Sequence, residues 1–221
     1  AGAPVGTSVS VRSLFYNTPA RFKFLKSDAA ERRHIAEYVT CLALARPDVA
    51  FVLVMEGRES LRTPGTGNLA EAVAAVYGRE ILPELVPVAW DSPAAQVDGF
   101  VGKPAIAKGN RSAQCLVVNG RWVQNRMLAT ALERGFESLL GHRRYPVAVL
   151  HLRVDPAAVD VNVHPAKTEI RFREEREVFK AVMLAVRKAL TGANLVVDFG
   201  PGVEGRAAAG SAQGAAVLGA P

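Results

Sequence analysis

Residues 9–15 (VSVRSLF) alternate apolar and polar side chains, the two-residue period of a strand with one buried face. Asn17-Thr18-Pro19 interrupts the run, with Thr18 placed as a helix N-cap and Pro19 as the first helical residue. A basic turn with Arg21, Lys23 and Lys26 follows. Asp28 and Glu31 have the spacing of a capping box, and Ile35, Tyr38, Val39, Leu42 and Ala45 form a helical stripe that Pro47 ends. FVLVME (51–56) and RESLRT (58–63) predict a hairpin around Gly57. PGTGN (64–68) is the clearest internal boundary.

Asn68 with Glu71 predicts a second helix start, and Gly78 its stop after LAEAVAAVY. Strands are expected near 85–90 and 96–101, then over Ala113–Val118. Asn119-Gly120 is the strongest short hairpin signal in the chain, with Arg121–Val123 returning. Met127–Leu140 reads as an amphipathic helix ended by Gly141. Val147–Val154 reads as a continuously apolar strand, and Asp155-Pro156 as a turn. Val159, Val161 and Val163 alternate with Asp160 and Asn162, and Glu169–Phe172 is a short strand. Glu174–Leu190 predicts a helix with Val178, Phe179, Val182, Ala185 and Val186 on one face. From about residue 193 the chain becomes Gly/Ala-rich and aperiodic, the composition of a flexible linker. The mixture predicts an α/β (α+β) fold, in which 85–190 builds a sheet covered on one face by its helices.

Composition narrows the function classes. The chain has 221 residues, 49% of them hydrophobic and 22% charged, an ordinary globular balance. No apolar run approaches the roughly 18 residues of a membrane span. No charged-then-apolar leader is read at its start, and the loop-like AGAPVGTS suggests a piece of a longer chain. Cys41 and Cys115 sit in apolar stretches and read as buried thiols in a reducing compartment. No CxxC, HExxH or Cys/His cluster points to zinc. The net charge of +6 permits a polyanionic partner without naming one.

Two stretches could carry chemistry. Residues 99–132 hold Lys103, Lys108, Arg111, Arg121 and Arg126 and no acid, which reads either as a phosphate-contacting face or as a surface whose acids lie elsewhere in space. Trp122 fits hairpin packing better than a base-stacking platform, since no aromatics interleave with the cations. In DVNVHPAKTEIRF (160–172), His164-Pro165-Ala166-Lys167 predicts a tight loop between strands. Lys167 on such a loop could serve as a point charge for a phosphate, or be an ordinary exposed lysine. His164 reads as a hydrogen-bonded loop residue, and Asp160 and Asn162 as groups that hold the loop. Phosphate-loop, dinucleotide-binding and nucleophile-elbow motifs are absent, and no carboxylate pair stands out.

GTSVSVRSLFYNTPARFKFLK (6–26), VNGRWVQNRML (118–128) and VDVNVHPAKTEIRF (159–172), in that order, resemble the MutL family of DNA mismatch repair proteins. The resemblance covers roughly residues 6–190. It implies the C-terminal part of a GHKL-type ATPase module over 1–66, a transducer domain over 67–192 with a mixed sheet and a left-handed βαβ crossover, and the start of a linker over 193–221. It implies a cytoplasmic, nucleoid-associated bacterial protein. The intact protein would use ATP and Mg²⁺, with none bound by this stretch, whose upstream nucleotide motifs are missing. It implies partners too: DNA through its backbone, a MutS-type mismatch recognition protein, a downstream nuclease or helicase, and a second copy of itself. Thr7 matches a position near the nucleotide phosphates, Lys167 the lysine that reaches the γ-phosphate, and Arg126 a basic DNA-binding position. Arg121 and Lys108 join Arg126 on charge alone, and Arg21 is given a structural or interdomain role. The expected function is a transducer coupling ATP binding and hydrolysis to DNA binding and N-terminal dimerisation, inactive as an ATPase alone. A stand-alone nucleic-acid-binding module and a type II topoisomerase transducer are the alternatives.

Overall fold

In the computed structural model, residues 5–160 and 170–195 are described. The expected strand over 9–15 does not form. Ser13 and Phe15 take positive φ values of 51° and 65°, bending the chain into turns. An alternating run becomes a strand only where a neighbour accepts its backbone hydrogen bonds, and among the described residues none pairs with it. Its Val9 and Val11 stay exposed.

Thr18 and Pro19 open helix α1 (Pro19–Phe22) as expected, although Thr18 makes no side-chain cap bond. Helix α2 (Asp28–Ala45) starts one residue earlier than the capping-box reading, with Ser27 and not Asp28 as N-cap. Glu31 does reach back, but its Oε1 accepts from the Lys26 amide at 2.9 Å. The predicted stripe of α2 is also corrected. Ile35 and Tyr38 remain about half exposed, whereas Ala45 of the stripe is buried together with Cys41 and Leu44, because only the last turns of the helix are packed into the core between the sheet and α3.

Strands β1 (Val52–Met55) and β2 (Arg58–Arg62) form the expected hairpin. Its turn residues Glu56 and Gly57 both take positive φ, the geometry that matches strand twist. Asn68 caps helix α3 (Leu69–Tyr77), accepting from the Ala70 and Glu71 amides, and Gly78 closes it. Glu71 turns outward and accepts from the Thr66 hydroxyl at 2.7 Å.

The main sheet follows, built from β3 (Leu85–Asp91), β4 (Gln96–Gly102), β5 (Gln114–Val118), β6 (Arg121–Val123) and β7 (Ala148–Arg153). Its order is β3-β4-β7-β5-β6. β5 and β7 are parallel and the other pairs antiparallel, so the sheet is mixed. Helix α4 (Arg126–Phe136) lies in the β5–β7 crossover. It is shorter than the sequence pattern suggests. At Glu137 the backbone takes φ 45°, and a 3₁₀ turn over Glu137–Leu139 replaces the last helical turn. Strands β8 (Val159–Asp160) and β9 (Arg171–Phe172) form a small antiparallel pair, and helix α5 (Glu175–Gly192) ends the described chain.

Alternation along β5 explains how the layers assemble. Leu116 and Val118 point to one face and join Leu128, Leu132 and Phe136 of α4 with Val182, Val186 and Leu190 of α5. Cys115 and Val117 point to the other and meet Cys41 and Leu44 of α2 and Val73 of α3. The helices within 85–190 thus cover one face as expected, and the opposite face is covered by helices from earlier in the chain. Gly135 lets α4 and α5 approach closely: a Cβ there would stand 2.6 Å from the Val186 Cβ.

His151 on β7 ties α2 to the sheet. Its Nε2 lies 3.0 Å from the Leu44 carbonyl oxygen, so a protonated Nε2 donates to the end of α2. Burial holds the imidazole below the ordinary histidine range, against the upward pull of the Leu44 carbonyl and of Asp98. The folded chain therefore keeps His151 neutral while the unfolded chain takes up a proton near pH ~6.5. Stability should fall as the pH drops below that value. A urea midpoint that declines between pH about 7 and 5, and declines less in His151→Gln, is the expected result.

Candidate nucleic-acid interface

A cleft of about 530 Å³ opens between α2 and the β6 edge of the sheet. Cys41, Leu116 and Ala129 contribute apolar surface, and His34, Glu37, Gln124 and Arg126 polar groups. Tyr38 meets Trp122 edge-to-face, with ring centroids 5.2 Å apart. Trp122 is thus a packing residue at this interface, as its hairpin position suggested. The α2 residues of the cleft were not legible in the sequence, since they lie more than 70 residues from β6 and no spacing rule joins them.

Arg126 is the first residue of α4, and the helix cap fixes its backbone. Asn125 caps the helix by accepting from the Leu128 amide at 3.0 Å, and its Nδ2 donates to the Ile170 carbonyl at 2.9 Å. The Thr130 hydroxyl donates to the Arg126 carbonyl at 2.8 Å. A cation in the first turn of a helix opposes the backbone dipole, at a cost of about 0.3–1 kcal/mol. An anion brought there relieves that cost and meets unpaired amides as well.

The five cations of the acid-free stretch divide into two groups. Arg111 is held by Glu133 through two hydrogen bonds, Nε–Oε1 at 2.7 Å and Nη2–Oε2 at 2.9 Å. Lys103 lies 3.7 Å from Glu84. Both acids lie outside the 99–132 window, Glu133 directly after it and Glu84 well before it, so for these two the reading of a surface with acids elsewhere in space is correct. Lys108, Arg121 and Arg126 are exposed and have no acidic partner among the described residues. Arg121 opens β6 directly after the Asn119-Gly120 turn, whose φ values are 50° and 77°. Lys108 is fixed by a reciprocal backbone bridge to Tyr145, with both N–O distances 2.8 Å.

The remaining sequence candidates fall elsewhere. Thr7 lies on the exposed segment before α1 and does not line the cleft. Arg21 is exposed on α1. Lys167, with Asn162 and His164, lies outside the described residues; Asp160 pairs with Arg171 in the β8–β9 register. Cys41 and Cys115 are buried free thiols, as read from sequence. A hydrogen bond with Cys41 and burial push the Cys115 thiol well above its usual range, which keeps it protonated. Among the described residues no helix is long and apolar enough to cross a membrane.

Residues 73–191 match the family described as DNA mismatch repair protein, C-terminal domain. The DNA mismatch repair protein MutL of Symbiobacterium thermophilum is 49% identical over 203 residues, covering 92% of this chain. That of Desulforudis audaxviator is 47% identical over 189 residues, covering 86% of this chain. The chain spans 31% and 34% of those relatives' lengths. Among solved structures, the Aquifex aeolicus MutL ATPase domain complexed with ADP is 29% identical with a TM-score of 0.50, over 66% of this chain and 52% of that one. The N-terminal domain of a DNA repair protein has a TM-score of 0.68 over 82% of this chain and 60% of that one, at 18% identity, a likeness of fold alone. Helices over a mixed sheet, with the VNGRWVQNRML strand-turn-strand leading into α4, lie within the matched span, and the chain belongs to the MutL family of DNA mismatch repair proteins.

Proposed function

We propose that this stretch is the transducer of a mismatch repair ATPase, which contacts the DNA backbone through Lys108, Arg121 and Arg126 and couples that contact to nucleotide state. The observation that carries the reading is the division of the five cations. Two are neutralised by Glu84 and Glu133, and the three left exposed without an acid among the described residues include the one that matches the family's DNA-binding position. Unpaired surface arginine and lysine contribute little to folding, so their charge is free for a polyanion.

In this reading ATP and Mg²⁺ are bound in the intact protein by an upstream module, residues 1–66 belong to the end of that module, and 67–192 form the transducer. Thr7 stands near the phosphates. Lys167 reaches the γ-phosphate, so that loss of this group releases a local electrostatic tie. A MutS-type protein recognises the mismatch, a nuclease or helicase acts downstream, and two copies close around DNA. The HPAK sequence and the family assignment support these roles, and the family assignment favours them over a stand-alone module or a topoisomerase transducer.

The test compares a free cation with a paired one. Arg126→Ala should reduce the slope of log K against log salt for duplex DNA by about one unit. Lys103→Ala, which removes a cation already facing Glu84, should leave the slope nearly unchanged. Equal slopes in the two variants would show that acid pairing does not distinguish the DNA-contacting cations.

A further inference from the structure

A second acid-free stretch runs from residue 138 to 154 and carries His142, Arg143, Arg144, His151 and Arg153. The fold lays it beside the first. β7 pairs in parallel with β5, matching Ala148 with Gln114 and Leu152 with Val118. At the same end of the sheet, Lys108 and Tyr145 exchange backbone hydrogen bonds. The Arg111 guanidinium lies over the Tyr145 ring, 5.2 Å from its centroid. Arg111 also lines the cleft that Arg126 borders. The loop after α4 is therefore joined, through Tyr145 and Arg111, to the surface already assigned to DNA.

The loop itself displays charge. The Arg144 amide donates to the Gly141 carbonyl at 3.1 Å, closing a tight turn, and Arg143 takes φ 57°. Arg143 and Arg144 are both exposed, and neither has an acidic partner among the described residues. Arg153 is different: it pairs with Asp98 at 3.1 Å and is removed from the count. Two adjacent arginines on a closed turn, next to Lys108, make a compact cationic site. Guanidinium groups suit phosphate oxygens through paired N–H donors.

We infer that Arg143 and Arg144, together with Lys108, form a second phosphate-contacting station, so that bound DNA runs from the α4 N-terminus past the cleft to the 141–145 turn. The inference rests on the DNA-contacting reading and extends its surface to a loop outside the first acid-free stretch. The partner is the sugar-phosphate backbone of duplex DNA.

The experiment uses the 221-residue chain and a fluorescein-labelled duplex, with binding followed by anisotropy over a salt series. Arg143→Ala/Arg144→Ala should lower the slope of log K against log salt by about two units, and Arg143→Lys/Arg144→Lys should keep it. If the alanine pair leaves the slope unchanged while Arg126→Ala lowers it, the second station is wrong and the DNA-contacting reading stands. If neither lowers it, the reading falls and the station with it. If the lysine pair loses as much as the alanine pair, loop shape and not charge is responsible, and the inference is overturned.

Discussion

Phe136→Ala should lower the unfolding free energy by about 3–5 kcal/mol, the range for deleting a fully buried phenyl ring. Phe136 has no exposed surface and belongs to the cluster that joins α4, α5 and the sheet. It is also the last residue of α4, immediately before the chain leaves the helix through Glu137. Its neighbour Gly135 brings Val186 of α5 so near that the helices have little room to move into a cavity. Poor relaxation places the cost toward the upper part of the range. For a chain of this length, about 4 kcal/mol corresponds to roughly 10 °C in melting temperature. Calorimetry on the purified chain measures it, and a shift of only a degree or two would mean that α4 is not docked as described. The change also bears on function, because α4 holds Arg126 at its other end. Loosening the crossover should weaken DNA binding without removing any cation.

The second large effect concerns the intact protein. On the proposed γ-phosphate role, Lys167→Ala should reduce ATP turnover about a hundredfold, the scale seen when one preorganised charge or donor on a reacting group is removed. Its melting temperature should scarcely change, because a side chain that acts on the nucleotide and not on the fold alters stability by about 0.5 kcal/mol or less when it is removed. Lys167→Arg is a useful companion, because guanidinium keeps the charge but not the compact shape of an ammonium. Full turnover in the alanine variant would remove Lys167 from the phosphate-sensing role. A large loss of stability would recast it as a structural residue.

Local rules carried most of the fold. Asn68, Asn125 and the Asn119-Gly120 turn behave as their side chains and φ preferences require, since capping and turn chemistry act over three or four residues. The strands from β3 to β7 follow their apolar patterns because each is paired and turns its apolar positions into a core. The failures have equally physical causes. The 9–15 run has the period of a strand but no pairing partner among the described residues. Ile35 and Tyr38 have the spacing of a core stripe but stay half exposed, Tyr38 meeting only the Trp122 edge of the sheet beside an open cleft. The site was legible in part. Charge counting found the cationic stretch, but whether a cation is free depends on acids that folding brings near. Glu133 is 22 residues from Arg111 in sequence and in contact with it in space. The 141–145 turn was invisible for the same reason, because only the Lys108–Tyr145 bridge places it beside the first cations.

The most direct test of the central proposal is the salt dependence of duplex binding by the unaltered 221-residue chain. With Lys108, Arg121 and Arg126 on the phosphates, and Arg143 and Arg144 beside them, log K should fall with log salt at a slope between about −3 and −5. A slope near zero, or flatter than about −1, would contradict a phosphate-contacting surface built from these cations.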